Sequence, residues 1–364
     1  MMIIRIRPLD TFFFRDGKPF SMGQETWADG VFPPSPSTLY GALRAIYFAH
    51  HPEEFKRVNI VDDPTRNLKI NGIFLEIGEY IYLPVPADFV ITKDKHNKET
   101  KRLLTVIPCN NHLSSNKTDW ITTTDNDLTI KNIENNPLFD KENYQDYLNI
   151  ESIDSLPYST SKDYLENEPK IAFKKSDSSG TIEEESLHRA GTQRFKEDNG
   201  KKVSIVIDFN SNGLEIPVND FVKLGGEGKV AYYETIDKES CTKIASFEII
   251  NGNKHFKICL ATPALFKQGW LPSWINKKTL EGEFKNLKLK LLTAIVGKPI
   301  LIGGFDMKNN EPKPMYKAVP AGSVYYFELI NGSMKEVINT FHQKSISDLK
   351  GVEGFGITYV GKMQ

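Results

Sequence analysis

"GGEGKVAYY" (225–233) and "VEGFGITYV" (352–360) are the stretches on which the fold turns. Both read Gly-x-Gly followed by a short strand that carries an aromatic residue, with Gly226 and Gly228 matching Gly354 and Gly356. Each closes its half of the chain after a candidate helix. A loop-and-strand unit that recurs at the end of each half implies two similar βαββαβ-like domains. The boundary is expected near Asp237 to Ala245, giving domains 1–240 and 241–364.

The rest of the chain fits an α+β protein with largely antiparallel sheets. "MIIRIRPLD" alternates Ile with Arg, the period-two pattern of a strand with one wet face. "VFPPSPSTLYGALRA" (31–45) predicts a helix with Ser35 as N-cap and Pro36 at its first position. Leu39, Leu43 and Ile46 form its core stripe. "LKINGIFLEI" and "EYIYLPVPADFVI" predict two strands joined by a turn at Gly78. From about residue 93 to 170 the composition turns to Asn, Asp, Lys and Ser without a sustained apolar period, which predicts an inserted, mostly irregular polar arm. "SLHRAGTQRFK" and "KKVSIVIDF" flank Asn199-Gly200, a hairpin signal, and further Asn-Gly turns stand at Asn212, Asn251 and Asn331. "MKEVINTFHQ" predicts a late helix. Strands paired locally, without regular βαβα alternation, argue against a Rossmann or barrel enzyme.

The 364 residues are 39% hydrophobic and 26% charged, ordinary for a globular protein, and the net charge is −1. No global field advertises a nucleic acid, so local charge has to decide. Cys109, Cys241 and Cys259 are far apart and never form a CxxC pair, which argues against both a disulfide scaffold and a four-ligand zinc site. The apolar run at the N-terminus is too short for a signal peptide and no stretch approaches a membrane span; a cytoplasmic protein with no cofactor is expected.

Candidate binding residues cluster by chemistry. Gly-x-Gly loops lack side chains, so a sugar-phosphate backbone can approach their N–H groups. At the start of the first helix, free backbone N–H groups, the hydroxyls of Ser37 and Thr38 and the positive dipole end suit a phosphate. Gly41 would let a neighbouring element approach this helix. Arg44 supplies a cation there, either for RNA or for a nearby acid. "FFFRDGKPF" sets Arg15 and Lys18 on a turn between Phe14 and Phe20. Between Phe284 and Lys317 seven lysines face only Asp306 and Glu311. Interleaved cations and aromatics are what RNA recognition uses. For catalysis there is no Walker loop, GxSxG elbow or HExxH. His50 and His51 could act as acid or base, or could simply interact with the helix dipole.

Taken together, "FFFRDGKPF", "PPSPSTLYGALRA", "LGGEGKVAYYE", "GGFDMKNNEPKPMYKAVPAGSVYYFEL" and "GFGITYVGK" resemble the third-numbered subunit family of the Cmr complex, the type III-B CRISPR effector, within the RAMP superfamily. The resemblance implies two tandem ferredoxin-like (RRM-related) domains and a non-catalytic role. It implies binding of the 5′ repeat-derived tag of the CRISPR RNA, with docking on the large polymerase/cyclase-like subunit and on the first backbone subunit. Carried onto this sequence, the tag surface would comprise Arg15, Lys18, Ser37, Thr38, Arg44, His188, Arg189 and Arg194. The loops Gly225, Gly226, Gly228 and Gly354, Gly356 would complete it. Lys229 stands where the family often has Arg and Phe305 where Trp is common; Lys229 keeps the charge but loses a bidentate fork. The competing expectations are a metal-independent CRISPR RNA-processing endonuclease using His50 or His51, and a stand-alone RNA-binding module.

Overall fold

The computed structural model describes residues 1–15, 27–28, 30–96, 98–109, 118–124, 128–131, 133–172, 188–197, 200–237, 239–248, 252–306 and 311–364. The elements that build its frame are, in chain order, β1 (Met2–Pro8), α1 (Pro36–His50), β2 (Lys69–Ile77), β3 (Tyr80–Pro84), β4 (Leu138–Asp140) and α2 (Lys141–Asn149). They continue with β5 (Val203–Asn210), β6 (Asn219–Lys223), β7 (Val230–Thr235), β8 (His255–Leu260), β9 (Glu281–Phe284) and β10 (Leu287–Ile295). The last are β11 (Val324–Asn331), α3 (Met334–Phe341), β12 (Lys344–Ser345) and β13 (Ile357–Lys362).

Two antiparallel sheets result. The first runs β4-β3-β2-β5-β1-β7-β6 and the second β9-β10-β11-β8-β13-β12. Inside each, the four central strands have the same order. β2-β5-β1-β7 matches β10-β11-β8-β13, and every pairing among them is antiparallel. The repeated Gly-x-Gly units therefore lead into equivalent strands, β7 and β13, each lying beside the first strand of its own sheet. The helices break the equivalence. The first half has α1 after its first strand but only β6 between β5 and β7; the second has no helix between β8 and β9, and α3 before β13. Among the described residues each half thus shows one crossover helix where βαββαβ expects two.

Alternation along the strands sorts the side chains into cores. Ile4 and Ile6 of β1 meet Leu39, Leu43 and Ile46 of α1 in the first core. On the opposite face of the same sheet, Ile3, Phe74 and Val206 share a second core with Cys259, Val324, Tyr326 and Tyr359 of the second sheet. A third core buries Phe256, Ile258 and Leu260 against Val337 and Phe341 of α3. The α3 start is a capping box, in which Ser333 accepts from the Glu336 N–H and Glu336 accepts from the Ser333 N–H.

The segment expected to be an irregular arm is not one. Residues 93–170 contribute β4 and α2, and Tyr144, Tyr147 and Leu148 of α2 are completely buried in the core shared by the two sheets. Their spacing, i, i+3 and i+4, is that of one helical face, and it stands among polar neighbours that keep the opposite face wet. Among the described residues, the strands on either side of Asn199-Gly200 do not pair with each other as the expected hairpin would have them. Gln193–Phe195 pairs with Leu165–Asn167, while β5 pairs with β1 and β2. Asn199 and Asn251 lie outside the described residues; Asn212 and Gly213 form a turn with φ of 50° and 90°.

At the centre of the shared core Asp88, from the loop after β3, is paired with Lys257 of β8 at 2.9 Å, both side chains being almost wholly buried. The same carboxylate accepts from the hydroxyls of Tyr147 at 2.5 Å and Tyr326 at 2.8 Å, and the Lys257 ammonium lies 3.8 Å from the centre of the Tyr147 ring. Burial pushes the phenols of Tyr147 and Tyr326 well above the ordinary range and the neighbouring Cys259 thiol up to about 12, so all three stay protonated at neutral pH.

Two stability predictions follow from these contacts. Lys257→Met leaves the Asp88 carboxylate buried without its cation, and should cost about 3–5 kcal/mol in urea unfolding; adding Asp88→Asn should recover part of that loss. A double variant no more stable than the single one would show that the carboxylate is not what the lysine compensates. Gly41 is exposed, and a Cβ there would meet nothing within 4 Å, so among the described residues no element approaches α1 at this point, contrary to expectation. Gly41→Ala should therefore raise stability by about 0.5–1 kcal/mol, read as a shift in the urea midpoint.

Candidate nucleic-acid interface

The proposed contacts fall into two groups in space. One surrounds the loop between β6 and β7. Gly225 and Gly228 are exposed, with φ of 84° and 63°. Gly225 lies so close to the Phe13 carbonyl that a Cβ would sit 2.4 Å from it, while a Cβ on Gly228 would meet nothing within 4 Å. The Gly226 N–H donates to the Phe13 carbonyl at 2.8 Å, locking the loop to the segment that ends at Arg15. Arg15 is exposed and forms a backbone bridge with Gly30. Lys18 lies outside the described residues.

Beside this loop three cations converge on two carboxylates. Arg194 donates to Glu168 and to Asp10, both at 2.7 Å. Lys170 donates to Asp10 at 3.3 Å, and Lys229 donates to Thr11 at 2.7 Å with Asp10 4.0 Å away. Lys170, Arg194 and Lys229 against Asp10 and Glu168 leave a surplus of one positive charge. Burial and the adjacent Lys170 hold the Lys229 ammonium below the ordinary lysine range. The strand His188–Ala190 pairs with Lys170–Ala172, so the backbone of His188 and Arg189 is brought to this site. Lys170, Asp10 and Glu168 were not anticipated; Lys170 and Glu168 stood in the stretch read as a polar arm.

The second group is brought together but turned inward. Glu353, from the turn just before Gly354, accepts a hydrogen bond from the Ser37 hydroxyl in the first turn of α1. Lys350 donates to the same Ser37 oxygen at 3.2 Å and to Glu353 at 3.4 Å. The anion at this helix start is thus the protein's own carboxylate. Ser35 caps as expected, accepting from the Thr38 N–H, and the Thr38 hydroxyl lies 3.1 Å from that of Ser35. Gly354 and Gly356 are buried. A Cβ on Gly354 would sit 2.9 Å from Ile70, and one on Gly356 2.7 Å from Ser347. Close packing and positive φ account for these two glycines: the space a side chain would take is filled by the protein itself.

Arg44 meets an acid. Its guanidinium donates to Asp63 at 2.7 Å, Asn59 at 3.0 Å and Thr65 at 2.8 Å, pinning the loop 59–65 to the helix. Burial raises the Asp63 carboxyl, but hydrogen bonds from Thr65 and Asn59 and the Arg44 charge outweigh it, and the carboxyl ends below its usual range. His50 is tied to Asp220 of β6 at 3.0 Å, and His51 stacks on Tyr47 with ring centres 4.5 Å apart. Of the lysine-rich stretch, Lys288 pairs with Glu281 at 3.2 Å across β9 and β10. Among the described residues no group of His, Cys, Asp and Glu is placed to hold a metal ion, and no helix is long and apolar enough to cross a membrane.

Known proteins place this geometry in a family. A curated relative, the CRISPR system CMR subunit Cmr3 of Saccharolobus solfataricus, is 23% identical over 93% of this chain and 90% of its own. The fold is shared with a chain of the type III-B Cmr-beta complex solved by cryo-electron microscopy with cognate target RNA and AMPPnP. That chain has a TM-score of 0.51 and 18% identity, with 89% of this chain and 86% of that one covered. The same complex bound to cognate target RNA alone gives a TM-score of 0.50 at 18% identity and the same coverage. The model of the family described as CRISPR-associated protein (Cas_Cmr3) matches residues 4–362, so the chain belongs to the Cmr3 family.

Proposed function

We propose that this protein is a non-catalytic subunit of a type III-B Cmr effector complex, in which it holds the 5′ repeat-derived tag of the CRISPR RNA. In that role it caps the assembly, docking on the large polymerase/cyclase-like subunit and on the first backbone subunit, in the cytoplasm. We read its two sheets as tandem ferredoxin-like units, 1–240 and 241–364, that each retain one crossover helix; the shared strand order supports this. The observation that carries the RNA reading is the open glycine loop 225–228 with Lys170, Arg194 and Lys229 beside it. Backbone N–H groups and cations in excess of their carboxylates gathered at one surface suit the phosphates of a single strand, which position RNA while guide pairing supplies target specificity. Membership of the Cmr3 family supports the same assignment.

In the assembled complex, Lys229→Ala should lower retention of the CRISPR RNA and reduce the slope of log affinity against log salt by about 0.7, the value for one phosphate contact on a single strand. Arg194→Ala should act in the same direction, whereas Gly41→Ala should leave retention unchanged. Filter binding across a salt series measures all three, and wild-type retention in both cation variants would remove the tag-binding role. Site-specific cleavage of repeat RNA without metal, lost on substitution of His50 and His51, would instead establish the endonuclease.

A further inference from the structure

The face of the first sheet opposite α1 is covered only in part. The shared core takes its β3-β2-β5 side, through Phe74, Ile81 and Val206. On the β1-β7-β6 side a different set of residues points the same way. Val222, Ala231, Tyr233 and Ile6 lie in the core with α1, so their strand neighbours Phe221, Tyr232 and Arg7 point to the opposite face. These three are register partners across three adjacent strands, Arg7 opposite Tyr232 and Tyr232 opposite Phe221. They form one row perpendicular to the strands.

The row is aromatic and open at its Phe221 end, with Tyr232 and Arg7 half-buried. Phe221 is 58% exposed, and its ring centre lies 5.7 Å from that of Tyr232 at an interplanar angle of 63°. In the neighbouring row Lys223, exposed, stands opposite Val230, which is 38% exposed. At the other end of the aromatic row the Arg7 guanidinium is held by Ser204 at 2.9 Å and Glu234 at 3.3 Å. An exposed phenylalanine beside a half-buried tyrosine on a sheet carries a cost in apolar exposure, and charged side chains surround the pair: Arg7 and Lys223 flank it, while Glu234, two residues after Tyr232, holds Arg7 and Arg5. β7 also begins directly after the glycine loop. Tyr232 follows Lys229 by three residues, about 10 Å along an extended strand.

We propose that Phe221 and Tyr232 form a base-stacking platform for the single-stranded RNA whose phosphates are held at the glycine loop, with Arg7 and Lys223 flanking the strand. The proposal rests on the tag-binding reading and extends it from backbone contacts to bases. Aromatic rings on a sheet accept any base by its π-face, while cations at the margins neutralise the phosphates between successive bases. On this face Arg5, Arg7 and Lys223 stand against Glu76 and Glu234, a surplus of one positive charge that favours RNA over an apolar protein segment as the occupant.

The test uses the assembled complex loaded with CRISPR RNA in which 2-aminopurine replaces successive tag nucleotides one at a time. Stacking on an aromatic ring quenches that fluorophore. At least one position should be quenched in the wild type and brighten in both Phe221→Ala and Tyr232→Ala, with affinity for the RNA falling roughly 5- to 100-fold in each. Phe221→Trp should restore both quenching and affinity, which a purely structural role for the ring would not produce. Unchanged fluorescence and affinity in the two alanine variants, with Lys229→Ala still weakening retention, would overturn the platform and leave the tag-binding reading standing. Unchanged binding in the Lys229 variant as well would overturn both. Loss of another subunit from the purified Phe221→Ala complex, with RNA affinity intact, would identify the face as a protein interface and also overturn the proposal.

Discussion

The two sheets share a core whose centre is one buried ion pair. Asp88 reaches the shared core from a loop of the first half, and Lys257 reaches it from the first strand of the second half. Taking both groups out of water is costly, and their attraction offsets that cost only because the remaining carboxylate lone pairs are filled by Tyr147 and Tyr326. Three separate parts of the chain must therefore arrive together: the loop after β3, helix α2 and the sheet of β8 and β11. A hydrophobic contact would tolerate sliding between the sheets. A carboxylate with three specific donors does not, so the pair sets their relative position as well as their proximity.

A second polar joint ties the two halves elsewhere. Ser37 in the first turn of α1 donates to Glu353, and Lys350 bridges the two, so the second half is clamped onto the helix of the first. The positive end of the helix dipole that would suit a phosphate is spent on an internal carboxylate. The same holds for Arg44, whose charge is answered by Asp63. A cavity of about 450 Å³ borders that ion pair, lined by Tyr40, Arg44 and Arg66 among others, and its rim is the loop that the pair pins down. Features that look like anion sites in isolation are, in this part of the molecule, fastenings.

How far the sequence could be read follows from where each signal is local. The strand β1, the start of α1 at Ser35 and Pro36, and the late helix α3 depend on neighbours within a few residues, and all stand where their patterns predict. The repeat of Gly-x-Gly and strand pointed to equivalent positions in two sheets because both loops feed a fourth strand. What stayed illegible depends on partners distant in sequence. Glu353 is 316 residues from Ser37, and nothing near either residue announces the other. The missing crossover helices show the same limit: the β5-β7 connection forms an extra edge strand instead, and no local rule forbids a helix there. Helix α2 is the exception, since Tyr144, Tyr147 and Leu148 carried a helical period that the polar composition around them masked.

The two glycine loops show how one local motif can serve opposite ends. Both place glycine at positive φ just before the equivalent strand, because the turn requires that conformation whatever lies outside it. At 354–356 the absent side chains are filled by Ile70, Ile73 and Ser347, and the loop closes the interface between the halves. At 225–228 the Gly225 end packs against Phe13 and the Gly228 end stays open, with Lys229 immediately beyond it. If the halves share an ancestral unit, packing has taken up one copy of the loop and left the other facing outward. The asymmetry gives the molecule a structural joint at 354–356 and, at 225–228, an outward-facing turn with Lys229 immediately before the strand that begins at Val230.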